Sequence, residues 1–376
     1  MHNPTRRQFL FSLTALALPL PLRAAGSLAA LVPARAHAAS TASPGPQLAT
    51  TSVAPCLLSA SWDDDTLGAG LTTVAPIVLP GRGHGIVPLP NGQAIVVSRR
   101  LGDWLAKIDW RRGGISKLIA AEPSRHYFGH AILSPDGNTL ITTENNDANG
   151  QGVLGLYAVD TLKRLGELPS YGIGPHELIW MESGKLLAVA NGGILTLPET
   201  GRAKLNPGQL NPTLTLIAWP DGRKVEEYVM PDKSLSIRHL ACTQDGTLGL
   251  ALQAEYAEAA AHRDAPLLAI LRQGQLRLAE QPLGLMGYGA SIAAVGNQFL
   301  VSALRGSALA RWQSDGQPLA AINFPRPAGI ASDGQQAWVS SETGILAHYD
   351  AGTNTLPSLP DQAARRWDNH LSLAVS

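Results

Sequence analysis

A unit of 46 residues recurs along this chain, and a repeat of that length built from short apolar runs leaves few folds open. His84, His130 and His176 are spaced at that interval (130 minus 84, 176 minus 130), and each opens an apolar run. The clearest unit reads His130-Ala-Ile-Leu-Ser-Pro-Asp-Gly137, followed by runs at 139–145, 152–160 and 163–168, with turn residues between them. Four short strands per unit is the pattern of a propeller blade. Further units open near His239, Ser291 and Gly329, each with a turn of the Asp-Gly or Gly-Asn type, which makes six between residues 84 and 360. Strand-like runs are left over at both ends, at 370–375 and at 57–62, 70–74 and 77–79. The expectation is therefore an all-β, seven-bladed β-propeller over residues 56–376, its last blade formed by the C-terminal strand and the three N-terminal ones. Such closure removes the open sheet edges that invite aggregation. The one stretch of helical composition, 254–262, reads as a surface excursion inside the fourth unit.

The first 38 residues carry no acid and contain Thr5-Arg6-Arg7-Gln8-Phe9-Leu10, an apolar run at 10–22, and Ala36-His37-Ala38. That order predicts a bacterial twin-arginine export signal cleaved after Ala38, and so a periplasmic protein. The run is too short to span a bilayer, so an N-terminal anchor is the weaker reading and no membrane span is expected in the mature chain. Residues 39–55, rich in Ala, Ser, Thr and Pro, are expected to be a disordered lead-in. Removing four of the 29 basic residues leaves 25 against 29 acids, a net charge near −4. Nucleic acid is excluded as a natural partner by that balance, and a monomer is expected. Cys56 and Cys242 fall half a ring apart in the predicted order, too far for a disulfide.

Five units carry histidine at one place, the start of the innermost strand: His84, His130, His176, His239 and His370. Equivalent positions of a ring repeat lie at one height, so the five imidazoles are predicted to converge at a channel mouth. In WD-type propellers a glycine-histidine pair braces its own blade, but there the histidine precedes the turn by about ten residues; His130 precedes Pro135 by five. The rim of the same mouth should collect Trp62, Asp63, Arg99, Arg100, Glu144, Asn145, Asn191, Glu255, Arg305 and Glu342. Two protonated imidazoles about 6 Å apart repel by roughly 3 kcal/mol at an effective dielectric of 20, so the ring should be neutral. Neutral imidazoles facing one point are ligands for iron, copper, zinc or nickel rather than for magnesium or calcium. Arg99, Arg100, Glu144, Asn145, Glu177 and Asn191 are the candidates to hold or orient a bound group. The competing reading makes Arg99, Arg100 and Arg238 an anion site. His126, His262 and His348 lie out of register and are expected to have surface or local roles.

Through Leu79-Pro-Gly-Arg-Gly-His-Gly85, Tyr127-Phe-Gly-His130, Gly172-Ile-Gly-Pro-His-Glu-Leu178, Ala190-Asn-Gly-Gly193, Ser236-Ile-Arg-His-Leu240 and Trp367-Asp-Asn-His-Leu371, the chain resembles the exported propellers of domain of unknown function 1513. The resemblance implies company with periplasmic iron-uptake proteins of the imelysin type. Thr196-Leu197-Pro198 departs from that family's Thr-His-Pro, which removes one further candidate ligand. A wider similarity links the blades to lactonase-type propellers; in such a hydrolase His130 or His176 would be the general base and Arg238 would hold the oxyanion. A scaffold docking a partner on its rim is the third reading, since propellers host binders and enzymes alike.

Overall fold

The computed structural model describes residues 56–61, 66–70, 76–359 and 366–374. The export signal expected at 1–38, the lead-in at 39–55, and Trp62 and Asp63 lie outside the described residues. The chain folds as an all-β propeller of antiparallel sheets. Gly83–Leu89, Arg125–Leu133, Pro175–Met181, Leu235–Cys242, Gly289–Val295 and Pro327–Ser332 each begin a sheet.

Six sheets are complete four-stranded blades, one fewer than expected, because the unit that opens at Pro327–Ser332 has only three strands. Its outer run is pinned instead by isolated bonds, His348 N to Pro357 O at 3.1 Å and Leu359 N to Leu346 O at 2.8 Å. Pro357 has no N–H to give a ladder, which is why the fourth strand does not form there. One of the four-stranded sheets joins the chain ends: Ser372–Ala374 pairs with Cys56–Ala60, followed by Thr66–Gly70 and Ile77–Val78. The C-terminal strand thus starts two residues after His370, and the second N-terminal strand ends where it had been expected to begin.

Burial falls from the channel outward, and composition follows it. The second strand of the first full blade, Gln93–Ser98, is buried on both faces and reads Ala-Ile-Val-Val after its first residue. The outermost strand Lys224–Val229 is almost wholly exposed and carries Lys224, Glu226 and Glu227. Between blades the core is layered: Leu58, Ile86, Val96, Ala106 and Ile108 form one such layer. Turns are fixed by side chains: in Ser134-Pro135-Asp136-Gly137, Asp136 Oδ1 accepts from Asn138 N at 3.1 Å and Gly137 takes a φ of 74°. Cys56 is buried and Cys242 is exposed.

Candidate functional site

Each complete inner strand that carries a ring histidine departs from regular pairing at that point. Register breaks between Gly83 and Ile86, Tyr127 and Ala131, Pro175 and Glu177, and Ile237 and His239. These are β-bulges, and a bulge re-aims the side chain it carries. Here His84, His130 and His176 fall inside the break, and His239 directly follows the bulged Arg238 and pairs with Ala251; the fifth, His370, precedes its strand and is anchored by Ser59 Oγ donating to its carbonyl at 2.7 Å. Gly129 shows how tight the arrangement is: its φ is 106°, and a Cβ there would lie 2.5 Å from Cδ2 of His84.

The five imidazoles form one cluster. Eight of the ten possible ring pairs have centroids 4.1–6.2 Å apart. A histidine braced into its own blade would not meet rings from three or more other stretches of chain, as each of these does. Two sets, His84–His130–His370 and His130–His176–His239, place their nearest ligand atoms within 4.8 Å of one another. All five side chains are buried.

Hydrogen bonds assign the protons on one side. Burial raises the Asp368 carboxyl, but His84 and the Arg82 guanidinium outweigh it and hold the group below the usual carboxylate range. The ionised carboxylate can only accept, so His84 Nδ1, 3.0 Å away, donates to Asp368 Oδ1. Nε2 of His84 is then a lone pair, and His370 Nε2–H donates to it across 2.9 Å. Arg82 grips the other carboxylate oxygen through Nε at 2.9 Å and through a second guanidinium nitrogen.

Across the ring, Glu177 stands between two further imidazoles, with Oε1 3.5 Å from His130 Nδ1 and Oε2 3.4 Å from His239 Nδ1. Its Oε2 also accepts from Leu240 N at 2.6 Å. His130 Nε2 and His176 Nδ1 are buried and have no hydrogen-bond partner. Burial pushes His84 down to about 4 and His239 to about 3, and carries His130, His176 and His370 well below the usual imidazole range. The ring is neutral at pH 7, and its free nitrogens are lone-pair donors or uncompensated N–H groups.

Above the ring lies a cavity of about 310 Å³ whose wall includes His84, His176 and His239 together with Arg99, Arg100, Arg202, Arg238, Arg305 and Arg326. Arg99, Arg100 and Arg238 take the places expected of them, as do Arg305 and Glu342. Glu177 lines a smaller cavity of about 140 Å³ with His130, His239 and His370. Glu144, Asn145, Asn191 and Glu255 do not line the arginine cavity. Glu144 is fully buried within its blade, accepting from Thr142 Oγ1, Tyr157 Oη and Arg164 Nη1. Asn191 Nδ2 donates to Ser170 O, Thr213 Oγ1 and Thr215 Oγ1, and Asn145 Nδ2 donates to Asp147. His126 is buried beside Asp147, while His262 contacts Tyr256 and His348 contacts Gln336 and Trp338, all of them local.

Sequence reasoning missed Asp368, although it sits inside the quoted motif Trp367-Asp-Asn-His; a carboxylate two residues before a ring histidine was the available signal. Arg202 was also missed, because it comes from the long excursion between Asn191 and Thr213 that no strand periodicity places.

Fold and site together describe a β-propeller whose channel is plugged by neutral histidines beneath an arginine-lined mouth. A family model described as "Protein of unknown function (DUF1513)" matches residues 77–374, and the chain belongs to that family. Among solved structures it is similar to hydrazine synthase of Kuenenia stuttgartiensis, with a TM-score of 0.57 and 13% identity over 80% of this chain and 90% of that one. That likeness is one of fold. A search of curated proteins returns no match. Among the described residues no helix is long and apolar enough to cross a membrane.

Proposed function

We infer that this protein binds a transition-metal ion at the histidine cluster and works as an exported metal-handling protein of the bacterial periplasm. The observation that carries the reading is the pair of buried, unpartnered nitrogens, His130 Nε2 and His176 Nδ1, inside two sets of close imidazoles. A buried polar atom without a partner costs on the order of 1–3 kcal/mol, and a coordinate bond would remove that cost. Ligand atoms about 2.1 Å from a metal lie roughly 3–3.4 Å apart, so nitrogens within 4.8 Å close on an ion by side-chain adjustment alone. Asp368 and Glu177 supply the outer carboxylates that orient metal-binding imidazoles.

An all-nitrogen donor set suits iron, copper, zinc or nickel, and the iron-uptake resemblance makes iron handling the physiological expectation. Seven units are our reading of the ring. Packing of Ser372–Ala374 against both Pro327–Ser332 and Gly83–Leu89 supports counting the terminal sheet and the three-stranded one as blades. The twin-arginine signal, cleaved after Ala38, gives the route of export. A lactonase-like role for His130, His176 and Arg238 is less well supported, because imidazoles carried far below neutrality are weak general bases.

Elemental analysis of protein purified from periplasm tests the proposal. One or two equivalents of a transition metal are expected, falling to background in the His130→Ala, His176→Ala double variant; metal content near zero in both, with no uptake of added Zn²⁺ or Fe²⁺, would refute it.

A further inference from the structure

The arginine cavity has more positive charge than the protein uses. Six guanidinium groups share its wall with one carboxylate, Glu342. Glu342 is engaged by Arg326. Arg100, Arg202, Arg238 and Arg305 make no ion pair among the described residues, and Nη1 of Arg100 is buried with no hydrogen-bond partner. Arg305 stacks its guanidinium 4.9 Å from the Tyr288 ring, and Tyr288 Oη accepts from Asn369 Nδ2 at 2.9 Å, so the wall is held in place from two sides. Surface arginines normally scatter or pair; grouping them around a concave site raises mutual repulsion that only an anion relieves. Burial and the neighbouring guanidiniums depress Arg99 to about 10 and Arg100 to about 9.

We propose that this mouth is a binding site for a compact polyanion carrying two or more carboxylate or phosphate groups, held by Arg100, Arg202, Arg238 and Arg305 directly over the imidazole ring. The planar guanidinium fork matches both groups in bidentate fashion, which a lysine cluster would not. A volume of about 310 Å³ admits a molecule of tricarboxylate or pyrophosphate size and excludes a folded chain. His84, His176 and His239 form part of the same wall, so an anion seated there faces the ring. The inference deepens the metal reading in one respect only: a metal at the ring would find donor oxygens from the anion on its open side. The anion site itself stands on the arginines.

Calorimetric titration of the mature protein with tricarballylate alone and with pyrophosphate alone separates the two chemistries. Binding of either one, weakened at least tenfold by Arg100→Gln or Arg238→Gln and by rising salt, is the expected result. Because Arg305 is exposed, Arg305→Gln serves as a variant that folds, and a threefold or greater loss is expected there. Failure of both probes to bind, or binding indifferent to all three substitutions, would overturn the proposal even if Zn²⁺ still binds the ring. Conversely, anion binding that persists in His130→Ala, His176→Ala protein upholds it, even if the metal reading has failed.

Discussion

Acid should loosen this protein through His84, and the size of the effect follows from the structure. The folded-state pKa is depressed from 6.5 to about 4 by burial, against the pull of Asp368. Above pH 6.5 both folded and unfolded imidazoles are neutral and the group contributes nothing. As pH falls through 6.5 the unfolded chain takes up a proton that the folded ring excludes, so stability drops until about pH 4. Between pH 7 and 5 this group alone removes about 2 kcal/mol, or ~3 °C in Tm for a chain of this size. Glu177 acts in the opposite sense, since burial raises its carboxyl, and the other four imidazoles act in the same sense as His84. A comparison of parent and His84→Asn cancels those contributions to first order. Melting curves at intervals from pH 7.5 to 5 should show the variant losing ~2 kcal/mol less than the parent, while His348→Asn, far from the ring, follows the parent. Identical pH slopes in parent and His84→Asn would refute the claim that His84 is held neutral by burial.

Four further outcomes are expected. Asp368→Asn should fold yet weaken Zn²⁺ binding 10- to 100-fold by titration, because a neutral amide, which can donate as well as accept, no longer fixes the proton on His84 Nδ1. Gly129→Ala should lower stability by about 2 kcal/mol or more in chemical denaturation, since it meets both a φ of 106° and the His84 ring. Glu144→Gln should cost roughly 3 kcal/mol by leaving Arg164 without its buried partner, and the protein that folds should bind metal like the parent. Mass spectrometry after alkylation without reductant should find Cys242 modified and Cys56 protected, with no Cys56–Cys242 disulfide.

How much of this was legible in the sequence depends on what each feature rests upon. The blades were legible because turns such as Ser134-Pro-Asp-Gly and alternating apolar runs are local, and strand boundaries at Thr139–Asn146 and Gln151–Ala158 fall within a few residues of expectation. Convergence of His84, His130, His176, His239 and His370 was legible as well, since a ring repeat turns equal register into nearby space. Glu144 and Asn191 went elsewhere for a reason that register alone does not encode. Asn191 ends the second strand of its blade and Glu144 lies two residues short of the end of its own, and each turns to a partner within its own sheet, Thr215 and Arg164. The three-stranded sheet was hidden for a different reason: its fourth run has the right composition, but Pro357 withholds the donor.

The bulges are the step that joins fold to site. In a regular inner strand, alternate side chains lie above and below the sheet, packed against neighbouring blades, and a histidine at the strand start would be one more interblade residue. A break of register inside the strand frees His84, His130 and His176 to turn toward the axis, and the same kind of break just before His239 brings a fourth imidazole beside them. Convergence then makes them neutral, because rings this close and this dry cannot share positive charge. The carboxylates confirm the logic by their placement. Asp368 and Glu177 face Nδ1 atoms of His84, His130 and His239, not a common centre, so they orient imidazoles without competing for the space between them. A site meant to hold positive charge through protonated histidines would put acids at that centre; this one leaves nitrogen there, with the guanidiniums kept to the mouth above.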